Sequence, residues 1–153
     1  MSAQLGRPAR GAIAVGWRCP CGNPAVTLTA PRLPDGTPFP TMYYLSCPRA
    51  VSAVSRLEAN GLMDTYNARL ATEPELAEAY AAAHQSYLAD RAALPGGTAV
   101  PETDGVSAGG MPTRVKCLHA LLAHALAAGP GVNPIGDEVR ELIGEFWGEP
   151  CLP

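Results

Sequence analysis

At 153 residues the chain has room for one domain with a core of its own, and it needs no disulfides to hold that core together. Charged residues are 16% of the total and the formal net charge is −3, which excludes a broad basic surface for nucleic acid. The 16 glycines and 16 prolines make up about a fifth of the chain against a usual ~12%, so much of it is expected in turns and loops.

No stretch of about 18 apolar residues is present, so no membrane span is expected. The segment Met1 to Arg10 lacks the apolar run of a secretory signal, which points to a cytoplasmic protein. Five cysteines in such a chain read as metal ligands, a reactive thiol or small buried hydrophobes, not as disulfides.

In chain order, residues 1–10 read as a loose tail and Gly11 to Val15 as the start of a first strand. The run Trp17-Arg-Cys-Pro-Cys-Gly-Asn-Pro24 forces a tight bend. Ala25 to Thr29 alternates like a half-buried strand. Four prolines and Asp35-Gly36 make residues 31–40 a stiff turn, and Thr41 to Ser46 follows as a further strand. At Cys47-Pro48 the period becomes helical, with Ser46 or Cys47 as N-cap and Gly61 as the C′ residue. A short helix is expected over 63–71. Thr72 and Glu75 form a capping-box pattern for a long helix to about residue 94, with Leu76, Tyr80, Ala83 and Tyr87 on one stripe and His84 beside them. Residues 95–113 have the composition of a linker, expected as a flexible insertion or a lid. Helices over 116–128 and from Asp137 to about Trp147 complete the domain, which spans 11–147 and leaves 148–153 as a tail.

The residues that carry chemistry concentrate in Arg114 to Ala128, where Cys117, His119 and His124 interrupt an apolar run. On one helix Cys117 and His124 are separated by roughly 10 Å of rise, whereas ligands of one zinc ion lie about 3.5–4 Å apart. Cys117 and His119 point about 200° apart if both are helical. They form a chelating pair if Cys117 lies in the extended approach to the helix. A hairpin of the two strands flanking the 31–40 turn brings its ends together, so Cys19 and Cys47 are the expected partners of that pair. The proposed metal set is therefore Cys19, Cys47, Cys117 and His119, with zinc as the ion.

An alternative places a nucleophilic thiol at Cys47, where a helix N-terminus and Arg49 favour the thiolate, with His119 or His124 as base. The stiff loop presents Arg32, Asp35 and Thr37, which together with Arg49 are candidates for a small anionic ligand. No phosphate loop, dinucleotide fingerprint, His-Glu-x-x-His or Gly-x-Ser-x-Gly pattern occurs.

Arg18-Cys19 with Gly22 and Pro24, the run Asp35-Gly-Thr-Pro-Phe-Pro-Thr41, Leu45-Ser-Cys-Pro48, Ser55-Arg-Leu-Glu58, Val115-Lys-Cys-Leu-His-Ala120 and Asn133-Pro-Ile-Gly136 occur in that order. Together they resemble the bacterial domain-of-unknown-function family 501 over nearly the whole chain. The resemblance implies no activity. It implies a genomic neighbourhood with enolase, a septum-formation initiator and an exopolyphosphatase, and hence a protein partner linked to cell division or the envelope. Its Cys-x-x-Gly-x-Pro pattern matches Cys19, Gly22 and Pro24 and leaves Cys21 without a role.

The expected fold is α+β, a small antiparallel sheet in the N-terminal third packed against four or five helices. The expected function is zinc binding with a structural or interaction role. The alternative is a metal- or thiol-dependent enzyme acting on a small anionic substrate, and a fourth protein ligand separates the two, since a closed ion is structural.

Overall fold

The computed structural model describes residues 1–6 and 9–152. Its sheet has three antiparallel strands in the order β1 (Ala12–Arg18), β2 (Pro24–Thr29) and β3 (Tyr43–Leu45). The turn between β1 and β2 is closed by the Cys19 N–H on the Asn23 carbonyl and the Gly22 N–H on the Cys19 carbonyl, both at 2.9 Å. Gly22 sits at φ +92, which a residue with a side chain adopts only with strain. Ala25, Val26 and Thr27 are consecutively buried, unlike a half-buried strand, because β2 is central in the sheet. The 31–40 loop folds on itself as its prolines suggest, with Leu33 donating to the Thr37 carbonyl and Thr37 to Oδ1 of Asp35, each at 2.9 Å.

Five helices follow: α2 (Pro48–Ala59), α3 (Leu62–Thr72), α4 (Pro74–Ala92), α5 (Leu118–Ala128) and α6 (Pro134–Ile143). A further one-turn helix α1 (Ser2–Leu5) replaces the start of the expected tail, and Gln4 ties it to the Pro24 carbonyl at 2.6 Å. No helix among the described residues is long and apolar enough to cross a membrane.

Cys47 is the N-cap of α2, and Gly61, at φ +83, lets the chain turn from α2 into α3. The capping box at α4 does not form. Thr72 donates its hydroxyl back to the Ala68 carbonyl at 3.1 Å within α3, and Glu73 stands at the N-cap. Helix α6 begins three residues before Asp137, because Asn133 accepts the Gly136 N–H at 2.9 Å. Asp137 instead receives the Gly131 N–H.

Helix α5 is the centre of the molecule. Leu118, Leu121, Leu122, His124 and Leu126 are all buried, and α5 packs on the sheet, α2 and α6. The α5 and α6 backbones approach so closely that a Cβ on Gly136 would lie 2.2 Å from the Leu121 carbonyl oxygen. The 95–113 segment packs against this body in place of projecting. Val100, Thr103, Ser107 and Met111 are buried, and Arg91 of α4, itself 4% exposed, donates to the Thr103 carbonyl at 2.8 Å and the Pro40 carbonyl at 3.0 Å.

Candidate functional site

Two short stretches meet where α2 crosses the start of α5. Val51, Ser55 and Glu58 recur at i, i+4 and i+7, so they share one face of α2. Opposite them, Cys117 has extended backbone at φ −152 and ψ 109, and α5 begins only at Leu118. Cys117 and His119 are thus freed from the opposed directions that a continuous helix would give them. The approach is pinned from α3, where the Asn67 amide both accepts the Val115 N–H (2.9 Å) and donates to the Val115 carbonyl (3.0 Å). Lys116 donates to the Gly109 carbonyl at 2.7 Å, and Gly109 at φ +67 leaves no room for a Cβ beside Leu121.

Here one ligand atom each of Glu58, Cys117 and His119 lies within 4.8 Å of the others, and no other His, Cys, Asp or Glu group among the described residues gathers three donors so tightly. Oε2 of Glu58 accepts the Leu118 N–H at 2.8 Å, taking one of the free donors of the α5 N-terminus, and stands 3.2 Å from Nδ1 of His119. Nε2 of His119 faces the Val51 carbonyl at 3.3 Å and Oγ of Ser55 at 3.1 Å. Both nitrogens therefore face acceptors, the Glu58 carboxylate at Nδ1 and the Val51 carbonyl at Nε2, with the Ser55 hydroxyl able to donate or accept.

That arrangement concentrates negative character. Nδ1 donates to that carboxylate when it carries a proton, and its lone pair faces the carboxylate favourably only if a cation takes the proton's place. Accordingly the hydrogen bond with Cys117 raises the His119 pKa against the opposing effect of burial, and the Glu58 charge adds to the rise. Burial pushes the Cys117 thiol up, but the His119 hydrogen bond and the nearby Ala120 N–H outweigh it and leave the thiol more acidic than usual. The thiol makes no cap hydrogen bond of ordinary length, so the Ala120 effect is that of a nearby dipole. Cys117 and His119 also line a cavity of about 410 Å³ whose other walls include Phe39, Tyr43, Tyr44 and Val51.

The remaining sequence candidates lie elsewhere. Cys19 and Cys47 are 3% and 1% exposed and are not among the donors around Cys117 and His119. Burial raises the Cys47 pKa, against the lowering by the Ala50 and Arg49 N–H groups, which disfavours it as a nucleophile. His124 is fully buried, stacked on Tyr43 and edge-on to Tyr87, with Nδ1 3.1 Å from the Asn133 amide nitrogen. Burial depresses its pKa to about 4. Arg32 grips Glu102 through two contacts at 2.9 and 3.1 Å, Asp35 and Thr37 are bonded to each other, and Arg49 pairs with Glu149 at 3.4 Å. These four are therefore engaged within the chain and do not converge on a site.

Glu58 was the residue missing from the sequence set. Its signal is the i, i+4, i+7 spacing with Val51 and Ser55, which only the α2 to α5 crossing makes meaningful.

No curated protein and no solved structure matches the chain. A family model does match, over residues 15–141, described as a protein of unknown function (DUF501). With most of its length covered by that model, the chain belongs to the DUF501 family.

Proposed function

We propose that Glu58, Cys117 and His119 form a three-ligand zinc centre open to the adjoining cavity, and that the protein is a metal-dependent enzyme acting on a small substrate with an apolar or aromatic part. The observation that carries this reading is the convergence of Glu58, Cys117 and His119, one ligand atom of each lying within 4.8 Å of the others and Nδ1 of His119 standing 3.2 Å from the Glu58 carboxylate. One nitrogen, one sulfur and one carboxylate oxygen are an ordinary zinc donor set, and three protein ligands leave a position for water or substrate. Zinc in such a position supplies a bound water with a pKa near about 7 and a Lewis acid. The chain's own contribution is orientation. Ser55 and Val51 hold the imidazole by Nε2, and the Leu118 N–H holds the carboxylate. Phe39, Tyr43 and Tyr44 supply the apolar wall. Five free cysteines suit a reducing compartment, and we place the protein in the cytoplasm.

The test is metal content of full-length protein purified without added metal, compared with Glu58→Gln, Cys117→Ser and His119→Ala. Each variant is expected to hold one zinc ion fewer per chain than the parent while keeping its helical circular dichroism. Equal zinc in parent and variants would overturn the centre.

A second reading has its own observation, the Cys117 thiol lying within 4.8 Å of a His119 ring nitrogen, a proximity that makes the thiol more acidic and the imidazole more basic. On it, Cys117 is a nucleophile, His119 its base and Glu58 the group that orients His119. Turnover that survives a strong chelator but is lost on alkylation of Cys117 would select this reading.

A further inference from the structure

The pleat divides the side chains of the sheet between two faces. Tyr43 stacks on His124 of α5, so Tyr43 and its pair Leu28 face the helices, and Val26 and its pair Leu45 face the same way. Tyr44, its pair Thr27, and Thr29 therefore face the opposite side, together with Ala12, the β1 partner of Thr29. That side is covered by α1, through Leu5, and by the 31–40 loop, through Leu33 and Phe39. The Ala9 N–H donates to the Ser2 hydroxyl at 3.1 Å and the Ala30 N–H to the Gly11 carbonyl at 2.8 Å, which holds this cover to the sheet.

A cavity of about 190 Å³ remains between sheet and cover. A cavity of roughly 150 Å³ holds one benzene ring, so a single ring fits. Leu5, Leu33, Phe39 and Tyr44 give it a largely apolar wall, and two polar residues interrupt that wall. Thr27 is 3% exposed, and its hydroxyl oxygen is buried with no hydrogen-bond partner among the described residues. A position that only packs would favour valine, which has the same shape without a hydroxyl to desolvate. Arg10 is the exposed cation of the lining and forms no ion pair among the described residues. Asp35 is near enough to feel its charge but is engaged by the Thr37 N–H.

The register sets where these two groups stand. Thr27 and Thr29 lie on one face of β2, about 7 Å apart along the strand. Arg10 precedes Ala12, the partner of Thr29, so the chain places it beyond the Thr29 end, while Thr27 lies towards the other. An occupant that satisfies both carries an anionic group at one end, a second polar group at the other and an apolar body between them.

We infer that this cavity is a second binding site, for a one-ring aromatic acid with a hydroxyl opposite its carboxylate. Arg10 takes the carboxylate, Leu5, Leu33 and Phe39 enclose the ring, and the Thr27 hydroxyl pairs with the far hydroxyl. The site is separate from the cavity at Cys117 and His119. The two share Phe39 and Tyr44 as walls, but Leu5, Arg10 and Thr27 line only this one.

The test is proton–nitrogen NMR of the full-length chain titrated with 4-hydroxybenzoate and, separately, with benzoate. A chelator is present throughout, so that no metal at Cys117 competes for the carboxylate. Saturable shifts are expected at the Leu5, Thr27 and Thr29 amides and not at Cys117 or His119, with 4-hydroxybenzoate bound about fivefold tighter than benzoate. Thr27→Val, which keeps the shape of the side chain, is expected to remove that preference, and Arg10→Gln to weaken both acids more than about tenfold. Absence of saturable shifts with both acids would overturn the site, as would shifts centred on Cys117 and His119. Equal affinity for the two acids in the parent, or affinities untouched by Arg10→Gln, would do the same. Glu58 and Cys117 take no part in this binding, so its failure leaves the metal centre standing, and failure of the metal centre leaves this site standing.

Discussion

A single carboxylate oxygen of Glu58 stands 2.8 Å from the Leu118 nitrogen and 3.2 Å from Nδ1 of His119, so one atom both caps α5 and favours the charged imidazole. The two roles separate on substitution with glutamine, which keeps an acceptor for Leu118 but loses the charge. In metal-free protein, Glu58→Gln is expected to lower the His119 pKa, followed by proton NMR, while Cys117→Ser lowers it further because the thiol hydrogen bond is the larger cause of the rise. The folded-state pKa of His119 is raised, so its contribution to stability is fully present below the ordinary ~6.5 and is lost as pH rises through the folded value. Glu58→Gln should therefore cost more stability at pH 6 than at pH 9, in addition to about 1 kcal/mol or less for the weakened cap. An equal cost at both pH values would refute the coupling.

His124 works in the opposite direction. Its Nδ1 accepts from the Asn133 amide, so Nε2 carries the hydrogen, and that buried group has no partner among the described residues. With the folded pKa near 4 against an ordinary ~6.5, the unfolded chain binds a proton that the folded chain does not. Stability should fall as pH drops below ~6.5 and level off near 4, by about 3 kcal/mol from this residue. Urea midpoints across that range, compared with His124→Gln, give the check. The variant should lose most of this slope, and an unchanged slope would show that other groups set it.

How much of this was legible in the sequence depended on whether neighbours along the chain or across it decided the outcome. The α2 start at Cys47, the Asp35 turn and the extended placement of Cys117 follow from proline, glycine and local hydrogen bonding, so these local features were legible. Thr72 failed as a cap because its hydroxyl found a carbonyl one turn back, an option no spacing rule excludes. Cys19 and Cys47 were assigned to Cys117 because a hairpin brings strand ends together. The two thiols are buried instead, and neither is among the donors around Cys117 and His119. Glu58 needed the angle at which α2 crosses α5, which lies in packing and not in period.

The linker-like composition of 95–113 also misled, and Arg91 shows why. A guanidinium 4% exposed donates to two carbonyls, Pro40 and Thr103, and so fastens a segment that has little apolar surface of its own. Arg91→Met keeps the aliphatic stem and removes both charge-assisted bonds, at a net cost of about 3 kcal/mol once the relief of the buried charge is counted. Hydrogen exchange should quicken first at Val106, whose N–H bonds to the Thr103 carbonyl, and at Met111. Uniform loss of protection across the whole chain would mean that the anchor is not local.

The thiols give the last comparison, because Cys47 and Cys117 both precede a helix yet differ in what surrounds them. Cys47 is 1% exposed and made less acidic by burial, whereas Cys117 opens on the cavity and is made more acidic by His119 and the α5 N-terminus. Reactivity follows both the thiolate fraction and access. In metal-free protein at pH 7.5, iodoacetamide should therefore modify Cys117 more than about tenfold faster than Cys47, read by peptide mass spectrometry. His119→Ala should slow Cys117 and leave Cys47 unchanged, since the imidazole touches only the first. Zinc added before the reagent should protect Cys117 in the parent protein but not in Glu58→Gln at the same zinc concentration, because the centre then lacks its anionic oxygen. If zinc leaves Cys117 equally reactive in both, the thiol is free of metal and its acidity belongs to the nucleophile reading.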